Sequence, residues 1–471
     1  MNDMTAEDVT SASEVAAGDL QADAGNTTVV CAPMTLHIGV FFDGTGNNTE
    51  NANTGGGGGS YANARSNVSL LAELYQSGDA YDVINSCGTV GTKYASLYVE
   101  GIGTISGLPY HVGVVGLATG MGMTGVERRV YSACVEIGRQ IDLLSGGIEP
   151  REIVLDVFGF SRGAAAARYF VNCFRQGFIN YNMYYVLPFR AQVPKGRNIR
   201  IRFLGIFDTV AAIGDGTDDD NGDVNLHIST AQADDIYHPT AMHEYRTNFR
   251  LNHNQPGGGA TRALLGAHSD VGGGYRDDGD RTRVEKSGTE VFDNRAEAEA
   301  AHARYSAAAA RARTAQESFW VRHGWIRPNE PTGGLDNSPG EIRTVTYRAG
   351  FSIHRRYTFT TGAIMDRPWV RIGLSRIALR IMYDRAVAAG VPFLSFPTGG
   401  QFAVPGPLRA LAGAYSDGGP LPSAANQREI LRNYAHISSN YDSVGMAPLP
   451  GASGQDLWRR VIYPNQPGLA K

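Results

Sequence analysis

Apolar positions along the chain fall into blocks of two kinds. Some blocks are nearly continuous: TLHIGVFF over 35–42, IVLDVF ahead of residue 161, and IRIRFLGIF running up to Asp208. Apolar runs this short, bounded by Gly, Asn or Asp, predict buried strands. KYASLYVEGIG at 93–103 alternates and predicts another strand, and TRALLGAH near 261–267 a further short one. Other blocks recur at helical spacing. ARSNVSLLAELYQ reads as a short helix, and about 125–145 carries Val130, Cys134, Ile137 and Ile141 on one stripe. The stretch 374–388 carries Leu374, Ile377, Ala378 and Ile381 on one face and stops at Gly390. The run before Ser161 passes straight into the Ala-rich RGAAAARYF, a helix-favouring sequence. Strands alternating with helices predict an α/β fold with a mainly parallel sheet covered by helices on both faces.

Between these blocks the pattern weakens. Residues 1–33 are polar and small and predict disorder. Gly55–Gly59 predicts a flexible loop, and a glycine-rich stretch follows residue 103. From 285 to about 325 the chain is rich in Ala, Glu and Arg and favours helix, without a wide apolar stripe, so it reads as an excursion from the core. Residues 331–345 read as loop. Beyond 395, Pro and Gly dominate, with a small helix at about Gln427–Tyr434. No internal repeat is present.

Composition narrows the class. The chain has 471 residues, 42% apolar and 19% charged, which excludes a disordered or coiled-coil protein. Its 59 glycines follow no three-residue period, so a loop-rich globular fold is expected rather than collagen. A net charge of -4 without a basic run argues against a nucleic-acid partner. The N-terminus lacks the basic and apolar regions of a secretory signal, and no apolar run is long enough to span a bilayer. Cys31, Cys87, Cys134 and Cys173 show no C-x-x-C spacing and read as thiols of a protein folded in a cytosol.

The chemistry concentrates at three turns. Gly159-Phe160-Ser161-Arg162-Gly163 fits G-x-S-x-G between a strand and a helix, the setting in which a sharp turn pushes a nucleophilic hydroxyl outward. A serine needs a base, and the base an orienting acid. Asp208 closes a strand where such an acid belongs; Asp215 and Asp218–Asp220 are its rivals. Asp156, inside the strand before Ser161, reads as structural. His268 opens HSDVGGGY and is the first choice of base, with His436 second. His227, His238, His243 and His253 read as part of an insertion that could line a pocket. Acyl transfer also needs donors for the oxyanion. The backbone N–H of Arg162 is one candidate, and Gly44 or Thr45 of the DGTG turn supplies the other. That turn is not a phosphate loop, because no G-K-[ST] follows. The acidic run 215–223 fails the EF-hand pattern, so no metal or other cofactor is expected.

Taken together, HIGVFFDGTGNN, FGFSRGAAAAR, FDTV and GAHSDVGGGY resemble the α/β-hydrolase domain of antibacterial type VI secretion lipase effectors, specifically their first phospholipase family. The motifs span roughly residues 35–275 in order, and DRPWVRIGLSRIALRIMYDRAVAAGVPF resembles the family's later core helix. The resemblance implies Ser161, Asp208 and His268 as a triad. It implies hydrolysis of an acyl ester of membrane glycerophospholipids in a rival cell's periplasm, delivery by the secretion needle with a spike protein, and a cognate immunity protein. On this reading 34–280 is the catalytic core, 281–345 a helical insertion and loop, 346–400 a region completing the core, and 401–471 a Pro/Gly-rich segment packed on it. Phe319-Trp320 and the stretch 180–187 are the candidates for lipid contact. An intracellular serine esterase acting on a soluble ester, and a non-catalytic scaffold of the same fold, are the competing readings.

Overall fold

The computed structural model describes residues 34–467, apart from 56–58, 86–87, 108–123, 147–148, 184–186, 193–197, 214–223, 286–287, 331, 350–351, 417, 443–444 and 452–457. The expectations for residues 1–33, for most of the Gly55–Gly59 loop, for the glycine-rich stretch, for Tyr184 and Tyr185, and for Asp215 and Asp218–Asp220 lie outside the described residues.

Seven strands form the central sheet: β1 (Thr35–Phe42), β2 (Gly78–Asn85), β3 (Gly88–Val99), β4 (Glu152–Phe160), β5 (Ile199–Phe207), β6 (Asp235–Ala241) and β7 (Ala260–Leu264). Their order is β7-β6-β5-β4-β1-β3-β2. The first six run parallel and β2 closes the edge antiparallel to β3. The continuous apolar runs follow from this burial, because a strand covered on both faces has no polar side to show. In β4, Ile153, Leu155 and Val157 enter one core, while Phe158 and Phe160 enter the other. Helices α1 (Asn67–Leu74), α2 (Val126–Ser145), α3 (Arg162–Gln176) and α6 (Gly373–Ala388) supply the covers. α2 and α3 pack on one face, α1 and α6 on the other. This is the mainly parallel, helix-flanked α/β architecture expected from the sequence.

Four local expectations need correction. β3 ends at Val99, not 103, because the chain leaves the sheet ahead of the Gly101 turn. β6 was not anticipated, since His238 and Pro239 interrupt its apolar pattern, yet it sits inside the sheet with both residues buried. The helical excursion, α5 (Arg295–Arg322), starts ten residues late because Thr289–Phe292 is a strand. The loop at 331–345 contains the strand Gly334–Asp336 and opens the strand Arg343–Ala349. Strands between 280 and 367 pair with one another rather than with the central sheet. At the far end of the excursion Trp320 is buried in the core and offers no surface, while Phe319 packs against that core and is partly buried.

Candidate active site

Ser161 stands at the junction of β4 and α3 with φ 58° and ψ −127°, a backbone state that costs a non-glycine residue energy and is held by its surroundings. The surroundings are close. A Cβ on Gly159 would lie 2.4 Å from the Gly163 carbonyl oxygen, and one on Gly163 would lie 2.3 Å from the carbonyl oxygens of Phe42 and Asp43. Both glycines of the G-x-S-x-G pattern are therefore demanded by backbone contact. Ser161 N–H donates to the Phe207 carbonyl at 3.1 Å, and Val210 N–H donates to the Ser161 carbonyl at 3.4 Å. These two bonds straddle Asp208 and fix the end of β5 against the turn.

Asp208 also has a positive φ, 41°, and is completely buried. Its Oδ2 lies 2.5 Å from His268 Nδ1. Its Oδ1 accepts the Ala241 N–H at 2.9 Å, and both oxygens accept from the Arg460 guanidinium, at 2.8 and 2.9 Å. Burial alone would raise its carboxyl, but Arg460 and His268 outweigh that and hold it well below the usual carboxylate range. Asp208 is thus an anion at any physiological pH.

His268 is the first residue of the short helix α4 (His268–Gly272) and is 3% exposed. Burial lowers its pKa; Asp208 works in the opposite sense without cancelling the effect. Its ring is 4.6 Å, centroid to centroid, from that of Phe160, the neighbour of Ser161, and 5.0 Å from Phe249. Its Nε2 is buried and has no hydrogen-bond partner among the described residues. With Nδ1 engaged by a carboxylate, the proton belongs on Nδ1 and the lone pair on Nε2. Ser161, Asp208 and His268 thus gather at the carboxyl edge of the sheet, the place where parallel α/β folds collect ligands.

Of the oxyanion candidates, Arg162 is the first residue of α3 and its Nε donates to Thr45 Oγ1 at 2.8 Å, tying the DGTG turn to the elbow. The Gly44 N–H donates to the Asp43 carboxylate at 2.7 Å and is occupied. The Thr45 N–H has no partner among the described residues.

The remaining histidines separate. His436 pairs with Asp270, not Asp208, through Nδ1 to Oδ1 at 2.7 Å. His238 lies in β6, and burial lowers its pKa to about 3; its Nε2 accepts the Thr209 N–H at 3.1 Å, immediately after Asp208. His243 and His253 are both half-buried, and burial lowers the pKa of His243 to about 4. These are parts of the scaffold rather than of an inserted pocket. Asp156 accepts from Arg202 at 2.9 and 2.6 Å and from Tyr75 at 2.7 Å, a structural network within the core. Among the described residues no three His, Cys, Asp or Glu side chains are grouped to hold a metal ion.

Sequence reasoning missed Arg460 and Glu244. Glu244 is fully buried; its Oε2 accepts from Arg246 at 2.8 Å, from Ser438 at 2.8 Å and from the His268 N–H at 3.3 Å. Burial would raise its pKa, but Arg246, with help from Arg460 and His268, outweighs that and lowers it to about 2. Neither residue stands in a motif, and each reaches the site from a segment that looks like loop.

A strand–elbow–helix serine, a buried acid and a histidine on an open parallel sheet define the class as α/β-hydrolase-like. Residues 184–293 match the family described as the type VI secretion system phospholipase effector Tle1-like catalytic domain, a span that holds Asp208 and His268. A solved structure of the Tle1 effector bound to the VgrG spike of the type VI secretion system is similar over 92% of this chain and 94% of that one, with 25% identity and a TM-score of 0.62. A crystal structure of an uncharacterized protein from Pseudomonas aeruginosa aligns with 85% of this chain and 52% of that one, at 19% identity and a TM-score of 0.42. No curated protein matches the sequence. The resemblance to the first phospholipase family of type VI secretion lipase effectors therefore holds.

Proposed function

We propose that the protein is a serine carboxylic-ester hydrolase of phospholipase A type, acting on membrane glycerophospholipids as a type VI secreted antibacterial effector. The observation that carries this reading is the buried His268, bonded through Nδ1 to Asp208 and carrying an unpaired Nε2 beside the elbow that presents Ser161. His268 Nε2 removes the proton from Ser161 Oγ as that oxygen attacks the ester carbonyl. Asp208 holds the tautomer and stabilises the cation that forms. The oxyanion is received by the N–H groups of Arg162 and, of the two candidates in the DGTG turn, of Thr45, since Gly44 is engaged elsewhere. The tetrahedral adduct expels the lysolipid oxygen, which takes the proton back from His268. Water then repeats the sequence on the acyl-serine and releases the fatty acid.

The effector role rests on the family match and on the likeness to an effector solved with its spike. A spike partner, delivery into a target cell's periplasm and a cognate immunity protein are part of this proposal. The test is mass spectrometry of products from a defined phospholipid mixture, with Ser161→Ala as control. Release of fatty acid and lysolipid by the unaltered chain, and none by Ser161→Ala, is expected. Turnover confined to short soluble esters would favour the intracellular esterase instead, and no Ser161-dependent turnover at all would favour a scaffold.

A further inference from the structure

Asp208 carries more partners than its part in the proposed chemistry requires. Besides the Ala241 N–H and His268, a guanidinium from the far end of the chain grips both of its oxygens, and Oδ2 is shared between His268 Nδ1 and Arg460 Nη2. The two-pronged fit is one that arginine makes and lysine cannot. Arg460 is itself almost wholly buried, and its Nε donates to the Phe249 carbonyl at 2.8 Å. The arm bearing it is anchored just beyond Arg460. Leu251 N–H donates to the Val461 carbonyl and His253 N–H to the Tyr463 carbonyl, both at 2.9 Å, so Ile462–Tyr463 runs parallel to Leu251–Asn252. Further on, Asn465 bridges the Ile228 backbone and the buried Arg168. An isolated surface pair would not be placed so deeply or so firmly.

We propose that Arg460 is the positioning residue of this site: reaching in from the C-terminal arm, its guanidinium fixes the Asp208 carboxylate against His268 and shares that carboxylate's charge, so that the imidazole waits as a free base. The inference deepens the reading of His268 as the base and rests on it. Two effects follow from the geometry. With both oxygens clamped, Asp208 cannot rotate away when His268 moves. With its charge partly answered by Arg460, Asp208 stabilises imidazolium less than a lone carboxylate would, and the lone pair on Nε2 persists to lower pH. The other charged groups facing His268 are Glu244, which accepts its N–H, and Arg246, which neutralises Glu244. Arg460 also bears electrostatically on Glu244, but its hydrogen bonds to a charged group at this site are to the Asp208 carboxylate.

The experiment follows the His268 ring by NMR in chains carrying ¹⁵N-histidine, the signal identified by its loss in His268→Gln. Beside it runs the pH profile of kcat/KM on a short soluble ester. In Arg460→Gln the titration midpoint should rise by about one pH unit, the acid limb of the profile should move with it, and kcat should fall by about 10²-fold. Arg460→Lys keeps the charge without the fork, so its midpoint should stay near that of the unaltered chain while part of the loss in kcat remains. A midpoint that is unmoved or lowered in Arg460→Gln overturns the proposal, even if the rate falls, because support of the fold alone would do that. Should Arg460→Gln fail to fold, Arg460→Lys decides: a lower kcat with the midpoint held supports the proposal, and no change in either overturns it. A raised midpoint in a protein that hydrolyses no ester leaves the coupling standing and sinks the hydrolase reading instead.

Discussion

Two buried histidine–carboxylate pairs meet on the same five-residue helix. His268 opens α4 and pairs with Asp208; Asp270, two residues on, pairs with His436. In both, Nδ1 faces the carboxylate and Nε2 is buried without a partner among the described residues. Their neighbours differ. Asp208 closes a strand beside the serine elbow and is gripped by Arg460. Asp270 accepts the Ala267 N–H and the His436 N–H as well, both at 2.9 Å, so it staples the segment after α7 (Ala424–Tyr434) to the turn before α4. Tyr275 stacks on the His436 ring at 4.0 Å. Burial would lower the pKa of His436, but Asp270's charge and hydrogen bond prevail and raise it, whereas that of His268 is lowered. A histidine–carboxylate pair is therefore not a catalytic signature by itself. On the proposed reading, what separates base from staple is the serine elbow beside His268 and the charge left on the acid.

The sharpest way to break this comparison is at the nucleophile and the two rings. Ser161→Ala and His268→Ala should each lower ester turnover by about 10³-fold or more, and the double variant no further, since the residues act as a unit. His436→Ala should keep most of the turnover at temperatures where it stays folded. If His436→Ala is the more damaging change in initial rates, the base has been assigned to the wrong pair. Asp208→Asn comes next: the wrong tautomer of His268 should cost several orders of magnitude in kcat. Asp270→Asn should show its effect in a melting curve instead.

Stability separates the pairs in the opposite direction. Removing His436 leaves Asp270 buried without its cationic partner, a loss of about 3 kcal/mol read by denaturant titration. The pH dependence carries the sign. His436 is raised above its unfolded value of 6.5, so its contribution is fully present below pH 6.5 and fades as pH climbs through the folded value. The gap between the unaltered chain and His436→Gln should therefore be wider at pH 6 than at pH 8.5. The pKa of His268 is lowered, so folding favours its neutral ring and the native state loses stability to it as pH falls below 6.5. His268→Gln should accordingly gain on the unaltered chain toward acid pH. Parallel behaviour of the two variants would contradict the electrostatic distinction.

How much of this was legible in the sequence depended on how local each constraint is. The elbow was readable because its glycines, strand and helix are contiguous, and the backbone contacts at Gly159 and Gly163 are what the pattern encodes. β1, β4 and β5 were readable because strands buried on both faces leave unbroken apolar runs. β6 was hidden by His238 and Pro239; the ring nitrogens of His238 find partners in Thr209 and Asn254 that only the fold supplies. Arg460 sits 252 residues from Asp208, and no local pattern marks a guanidinium that will meet a carboxylate so far away. The sequence offers His436 as the second candidate for the base, and that it faces Asp270 rather than Asp208 is a tertiary fact.

The account's central claim is that His268, and not His436, activates Ser161. A fluorophosphonate probe forms a covalent adduct only with a serine whose hydroxyl is activated, and peptide mass spectrometry locates it. The adduct should appear on Ser161 in the unaltered chain and in His436→Ala, and be absent from His268→Ala and Ser161→Ala. Labelling of Ser161 that survives His268→Ala but disappears in His436→Ala, or an adduct on any other serine, would contradict it.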